Sequence, residues 1–392
     1  MFVLGMMSGT SADGIDAALV QFEGAPPRLR MRFRGHFRAE FRTSLRKEIL
    51  RIANGDSTTP GDISQLNFAL GEQFGRAAID ACKRWRIAVS KLDLIGSHGQ
   101  TIYHQGVPSQ VAGTGRHSST LQIGEPSVIA AMTRVPVIAD FRPADMAFEG
   151  QGAPLVPFVD YLLYRSAHVA RAALNIGGIA NVTAIPPHAK PDEVFAFDTG
   201  PGNMIIDALI EQISGERERY DKDAHIAIQG QLLPGLLERL MRDHYFDKKP
   251  PKTAGREQFG RNYAERMLAW GKEHTTDLAD LVHTATVFTA ASIAQQMKRY
   301  VFPRVRVREM IVAGGGVHNP LIMAQLAAAL PGIEFLPSRN FGVPEDAKEA
   351  FAFAVLAHEA WHGRPNNLPG ATGATRPVVM GKMVRPYGFG KQ

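Results

Sequence analysis

The sequence predicts an α/β protein built as two domains of related design with a cleft between them. Three observations carry this. Apolar strand patterns with a glycine-bearing turn open two separate stretches of the chain, long helical patterns follow each of them, and the whole is large enough for two cores. At 392 residues and 45% hydrophobic, the chain has apolar side chains to fill two ordinary domains.

In chain order, Phe2-Val3-Leu4 leads into the Gly- and Ser-rich stretch 5–14, and an apolar strand resumes from Ile15 to Phe22, the pattern of a hairpin. Arg28, Arg30, Arg32 and Arg34 then alternate with Leu29, Met31 and Phe33. That period of two reads as a strand with one charged, solvated face rather than a nucleic-acid groove. Over residues 62–86, Ile63, Leu66, Leu70, Phe74, Ala77, Ala78, Ala81 and Trp85 recur at three- and four-residue steps, an amphipathic helix. Leu92 to Ile95 reads as a short buried strand ending at Ser97-His98-Gly99-Gln100.

A second round begins near residue 140. Strands are expected over 172–176, 181–185 and 194–197, helices over 204–214, 232–243 and 281–300, a buried strand over 310–313, and a closing helix over 344–362. Residues 186–191 and 247–253 read as surface loops, residues 106–119 as longer than a turn requires, and the Pro- and Gly-rich tail after Gly363 as irregular.

Composition narrows the function classes. Forty-four basic residues are interleaved with 38 acidic ones for a net charge of +6, which fits attraction of a small anion better than a nucleic-acid surface. No run approaches ~18 apolar residues, and the apolar start meets glycine at Gly5, so neither a membrane span nor a secretory signal is expected and the cytosol is the expected compartment. The single cysteine, Cys82, has no intramolecular partner and falls in the helical pattern as a buried small residue.

Chemistry concentrates in three glycine turns. In Gly5-Met-Met-Ser-Gly-Thr-Ser-Ala-Asp-Gly-Ile-Asp16, glycines permit tight turns while hydroxyls and amides of Ser8, Gly9, Thr10 and Ser11 converge on an anion, a phosphate cradle. Asp13 and Asp16 add hard oxygen ligands for the magnesium that accompanies a nucleotide. In Phe197-Asp198-Thr199-Gly200-Pro201-Gly202-Asn203, a carboxylate ends an apolar strand. Asp198 is therefore placed as a general base, with Thr199 and the amides around Gly200 and Gly202 holding it or a phosphate. Asp-Thr-Gly also occurs in aspartic proteases, but those need a second such loop and the chain has one Asp-Thr-Gly. Gly314-Gly315-Gly316, after Ile311-Val312-Ala313, lets a flat group such as adenosine approach the backbone. Neither Gly-x-x-x-x-Gly-Lys-Ser/Thr nor Gly-x-Gly-x-x-Gly occurs, against P-loop and Rossmann sites. His358-Glu359-Ala-Trp-His362 matches the His-Glu-x-x-His pattern of zinc peptidases. No Asp, Glu, His or Cys follows His362, and the segment meets a helix stop, so helix capping is the reading preferred.

Taken with Gly96-Ser-His-Gly-Gln-Thr101, Leu121-Gln-Ile-Gly-Glu125, Ala139-Asp-Phe-Arg-Pro-Ala-Asp145, Gln151-Gly-Ala-Pro-Leu-Val-Pro157 and Leu174-Asn-Ile-Gly-Gly-Ile-Ala-Asn181, these motifs resemble, over nearly the whole chain, the anhydro-N-acetylmuramic acid kinases. The resemblance implies a two-domain actin-like ATPase (ribonuclease H-like) fold, the first domain from residues 1–139 plus about 350–392 and the second from 140–349. It implies ATP and Mg2+, a homodimer, and a double reaction in which water opens the 1,6-anhydro ring while O6 takes the γ-phosphoryl group, in peptidoglycan recycling. Carried over by motif, Asp198 is the base; Gly9, Thr10, Ser11, Ala12, Asp13, Gly14, Ile15 and Asp16 form the ATP phosphate loop, with Gly200, Gly202, Gly314 and Gly315 beside the nucleotide. Asp13 is the expected metal contact, and Arg142, Glu349 and Asn181 are the expected sugar contacts. A related kinase for another sugar, or an ATP-driven conformational switch that binds a polypeptide or glycan, would carry similar ATP loops.

Overall fold

A computed structural model describes residues 1–24, 29–275 and 277–387, so Arg28 of the basic stripe lies outside the described residues. The chain divides into two compact units, Met1–Val159 with Ala347–Gln392, and Asp160–Asp346.

The first unit opens with β1 (Phe2–Ser8), β2 (Gly14–Glu23) and β3 (Arg30–Glu40), an antiparallel meander, followed by β4 (Leu94–Val111), β5 (Gly115–Ile123) and β6 (Val137–Ala139). Strand β4 lies parallel to β1, and β6 parallel to β4. The sheet thus runs β3-β2-β1-β4-β6, with β5 paired to the outer half of β4. The amphipathic pattern over 62–86 is the helix Pro60–Trp85. Its start is fixed by a reciprocal cap: Asp62 N–H donates to Thr59 Oγ1 at 3.1 Å and Thr59 N–H to Asp62 Oδ2 at 2.8 Å. Leu66, Leu70, Phe74, Ala77, Ala78 and Ala81 form its buried stripe, and burial pushes the neighbouring Cys82 thiol up to about 11, so it stays protonated and inert.

The second unit repeats the plan. Strands β7 (Arg171–Ile176), β8 (Ile179–Ile185) and β9 (Phe195–Pro201) make an antiparallel meander, and β10 (Glu309–Ala313) and β11 (Glu334–Pro337) continue the sheet in parallel, in the order β9-β8-β7-β10-β11. Both sheets open on an antiparallel meander whose first strand also pairs in parallel with a later strand, β1 with β4 and β7 with β10. The helix expected over 281–300 is Leu278–Gln296, buried along most of its length and prolonged by one π-helical turn, Met297–Val301.

The chain then returns to the first unit through the helix Lys348–Trp361, which lies on β1 and β4. Gly5 and Gly96 face each other in register across those strands. A methyl group at Gly5 would overlap the Ala350 carbonyl oxygen and the Ala354 amide nitrogen, and one at Gly96 the Phe353 carbonyl oxygen. The paired glycines therefore form a trough that seats the helix against the sheet backbone.

Three expectations are corrected. Residues 106–119 are no oversized turn: β4 runs on to Val111 and pairs with β5, making a long hairpin arm. The tail is ordered by buried polar contacts, because Asn367 Nδ2 and Thr372 Oγ1 each donate to Asp145 Oδ1 at 2.7 Å. Its strand β12 (Lys382–Val384) lies antiparallel to β6. For the same reason the first unit extends past the expected boundary at 139: Asp145 and its loop belong with the tail that they bind.

Candidate active site

In the first unit the phosphate-cradle sequence becomes the connection between β1 and β2. Ser8 Oγ donates to Gln100 Oε1 at 2.6 Å, and Gln100 Nε2 donates to the Gly9 carbonyl at 3.2 Å, tying the turn to β4. The turn closes with Ala12 N–H donating to Gly9 O at 3.1 Å. Ala12 is buried with φ at 52°, a left-handed geometry that costs a non-glycine residue about 1–2 kcal/mol. Backbone strain of this kind gathers at functional turns. Thr10 and Ser11 are exposed, whereas Ile15 is buried in the core. Glycine at Gly14 has a packing cause, since a methyl there would overlap the Ala39 carbonyl; at Gly9 a methyl would meet no described atom within 4 Å. Packing thus leaves the glycine at this turn unexplained, and its backbone is open to close approach.

The acidic residues of this turn are paired with basic side chains. Arg46 Nε donates to Asp13 Oδ1 at 2.9 Å, Arg38 stands 4.0 Å from Asp13 Oδ2, and Asp16 Oδ1 lies 2.9 Å from His36 Nε2. Among the described residues no group of three or more His, Cys, Asp or Glu side chains is placed to hold a metal. With two guanidinium groups around one carboxylate, the turn carries the charge that suits an anion.

Arg142 lies in the short helix Phe141–Met146 of this unit. Its Nη1 donates to the Gly152 carbonyl at 2.7 Å and its Nε to His98 Nε2 at 3.1 Å. Burial, reinforced by Arg142, lowers His98 well below the usual imidazole range, so the ring is neutral and its Nδ1–H, 3.2 Å from the Gly99 carbonyl, donates to that oxygen. His104, pushed down to about 4 mainly by burial, is likewise neutral. The His98 ring packs on Phe353 at 4.5 Å between centroids. Glu349 sits one helical turn before Phe353, on the same face of the helix Lys348–Trp361.

In the second unit, Asn175, Asn181 and Asp198 stand opposite one another in register across β7, β8 and β9. Residues directly opposed in antiparallel strands share a face, so the three polar side chains form a row. The sequence had marked Asn181 and Asp198; Asn175, buried at 6% exposure in an apolar strand, was missed, and its signal was a polar residue interrupting an apolar run. Asp198 is 8% exposed and its Oδ2 accepts Ala254 N–H at 2.8 Å. Ala254 directly follows the loop 247–253 expected to lie on the surface, yet Lys252 within that loop is buried.

The glycines of the Asp198 loop serve packing. Gly202 N–H donates to the Gly178 carbonyl at 2.9 Å and Asn203 N–H to the Gly177 carbonyl at 2.8 Å. The expectation that the Gly202 amide grips a phosphate is therefore corrected: that donor is already used. Gly200, with φ at 145°, takes a conformation that side chains resist, and a methyl there would stand 2.9 Å from the Phe246 ring. Gly314 and Gly316 let their turn press against Ile176 at the end of β7, which leaves exposed Gly315, 3.6 Å from Asn203 Nδ2 by its would-be methyl, as the glycine of this turn that faces outward. Gly177 and Gly178, at the β7–β8 turn, were not marked as a site, although the duplicated topology makes that turn the counterpart of the β1–β2 connection.

The zinc-peptidase pattern is consumed by local contacts. Glu359 receives Arg364 Nε at 2.6 Å and Nη2 at 2.7 Å and lies 2.8 Å from His358 Nδ1, which together overcome burial and hold its carboxyl down at about 2. His358 stacks on Phe22, and His362 Nδ1 lies 2.8 Å from the His358 carbonyl, the capping contact the sequence predicts.

A duplicated sheet of this order, each copy opening on a hairpin with a glycine turn, defines the actin-like class to which ATP-using sugar kinases belong. Comparison with known proteins narrows the class. The profile of the anhydro-N-acetylmuramic acid kinase family matches residues 1–386. A relative of that name from Caldanaerobacter subterraneus subsp. tengcongensis is 42% identical over 382 residues, 97% of this chain and 96% of its own. Another from Salinibacter ruber is 42% identical over 384 residues, 98% and 96% of the two chains, and one from Bacillus cereus 41% over 388 residues, 98% and 99%. The chain belongs to the anhydro-N-acetylmuramic acid kinase family, and it is a phosphotransferase with an alcohol acceptor. None of its described helices is long and apolar enough to cross a membrane.

Proposed function

We propose that this kinase uses ATP and water to open the 1,6-anhydro ring of 1,6-anhydro-N-acetylmuramic acid and to phosphorylate O6, giving N-acetylmuramic acid 6-phosphate and ADP in cell-wall recycling. The observation that carries this reading is the placement of Asp198: a carboxylate in a polar row across β7, β8 and β9, oriented by a backbone amide, is built to take a proton from water. In the proposed reaction Asp198 removes that proton as the water oxygen bonds to the anomeric carbon. The C1–O6 bond breaks, and O6 attacks the γ-phosphorus with ADP as leaving group.

Backbone amides and hydroxyls of residues 9–16, with Arg38 and Arg46 nearby, suit the phosphates; Gly315 suits an approach by adenosine, and Arg142, Glu349 and Asn181 the sugar. Magnesium, which usually reaches such sites on phosphate oxygens and water, neutralises phosphate charge when bound. Asp13 and Asp16 are the carboxylates of that turn that would hold it, directly or through water. A homodimer in the cytoplasm is the accompanying proposal.

Turnover in 18O-water tests the ring-opening step. One heavy oxygen is expected in the sugar product at C1, with none in its phosphoryl group. Label in the phosphoryl group, or an unlabelled product, would mean that water does not attack the anomeric carbon.

A further inference from the structure

We propose that Lys252 is a positioning residue for the catalytic base: its ammonium pins the segment 252–254 that clamps Asp198 and supplies a positive charge that favours the ionised carboxylate. This rests on reading Asp198 as the base.

The clamp has two backbone contacts. Asp198 N–H donates to the Lys252 carbonyl at 3.0 Å, and Ala254 N–H returns a bond to Asp198 Oδ2 at 2.8 Å. The first fixes the β9 backbone at Asp198 and the second fixes the carboxylate rotation, so a shift of residues 252–254 would move both. The lysine side chain is one anchor of those residues. Its Nζ donates to Gln296 Oε1 at 2.7 Å and to the Tyr245 carbonyl at 3.1 Å, and it lies 4.5 Å from the centre of the Tyr245 ring and 5.3 Å from that of Tyr300. Tyr245 closes the circuit, since its hydroxyl donates to the Asp198 carbonyl at 2.6 Å.

A lysine only 5% exposed is an expensive anchor. Ammonium groups resist leaving water, and an apolar residue of similar length would fill the space without that cost. What an apolar residue could not provide is charge beside Asp198. The surroundings also make that charge titratable near neutrality. Burial, then Arg299 and Lys248, lower Lys252 to about 8, while Asp198 and Asp247 act in the opposite direction. As pH rises through about 8 the ammonium is lost, and both the hydrogen bond to Gln296 Oε1 and the field at Asp198 weaken. Activity therefore acquires a basic limb there, far below the range of an exposed lysine.

The test is the kcat–pH profile of the full chain for wild type, Lys252→Met, Lys252→Arg and Gln296→Glu, with Asp198→Asn alongside. For Lys252→Met a fall in kcat of about 10–100-fold is expected, with KM for ATP changed less than about threefold. Its acid limb should rise by about one pH unit, because an opposite charge near the carboxylate has been removed, and its basic limb near pH 8 should vanish. Lys252→Arg, whose charge persists across this range, should restore the acid limb while lacking the basic one. Gln296→Glu leaves Lys252 in place and sets a carboxylate beside its ammonium, so the basic limb should move to higher pH; this variant decides the question if Lys252→Met does not fold. Lys252→Met and Gln296→Glu profiles that superimpose on wild type overturn the proposal. Should Asp198→Asn keep the wild-type rate, the base assignment fails and this inference with it. If Asp198→Asn is inactive and the Lys252 and Gln296 variants behave as wild type, the base assignment survives and only the role of Lys252 is lost.

Discussion

Asp198→Asn is expected to abolish turnover by about three orders of magnitude or more while leaving ATP affinity within about threefold of wild type. The amide is nearly the same size as the carboxylate, and its oxygen can still accept the Ala254 N–H that orients the native group. Local packing therefore survives, and the loss reports chemistry rather than collapse. What disappears is the proton acceptor and its negative charge, which general-base catalysis values at about 10²–10⁴-fold. Separate measurements of kcat and of nucleotide affinity in the same preparation make the check. A variant that turns over near the wild-type rate would remove Asp198 from the role of base.

A second large effect is expected where the first unit packs most closely. Gly5→Val should destabilise that unit by about 4 kcal/mol, at the upper end of single substitutions, because the added carbons would occupy the space of the Ala350 carbonyl and the Ala354 amide. Both obstacles are backbone atoms of the helix Lys348–Trp361, so no side chain can swing away; the helix itself must lift. For a unit of this size that corresponds to a fall in melting temperature of roughly 10 °C. Because Glu349 rides on the first turn of that helix, KM for the sugar should rise even where the variant stays folded. Gly61→Ala is the matched control: its methyl would stand 3.5 Å from Thr59 Oγ1, an ordinary contact, and helix propensity predicts a gain of about 0.5–1 kcal/mol. Thermal melts of both variants decide the point, and equal behaviour would show that the trough does not require glycine.

Local patterning explains how much of this molecule was readable beforehand. The stripe Leu66, Leu70, Phe74, Ala77, Ala81 needed only its own spacing to announce a helix, and the structure returns Pro60–Trp85. Asp198 stood out as the polar residue after the apolar run 195–197, although β9 continues through it to Pro201, and Gly9 as part of a turn richer in hydroxyls than a hairpin needs. Features that depend on pairing between distant segments were not legible. Gly5 and Gly96 are ninety-one positions apart in the sequence, and only the parallel register of β1 and β4 makes them one trough. The tail looked irregular because its order comes from Asp145, more than two hundred residues earlier, rather than from any periodicity of its own. Lys252 was read as a surface residue because lysine in a Pro-rich loop is ordinarily solvated; its acceptors, Tyr245 O and Gln296 Oε1, come from other parts of the chain. The Gly202 amide misled for a related reason: a glycine turn shows that backbone can approach something, but not whether that something is a phosphate or the Gly178 carbonyl.

The measurement that bears most directly on the central claim is ADP release from Mg-ATP with and without 1,6-anhydro-N-acetylmuramic acid, with the sugar product weighed by mass spectrometry. Sugar-dependent ADP release and a product heavier than the sugar by one water and one phosphoryl group are the predicted result. ADP release indifferent to this sugar, or a product heavier by a phosphoryl group alone, would contradict it.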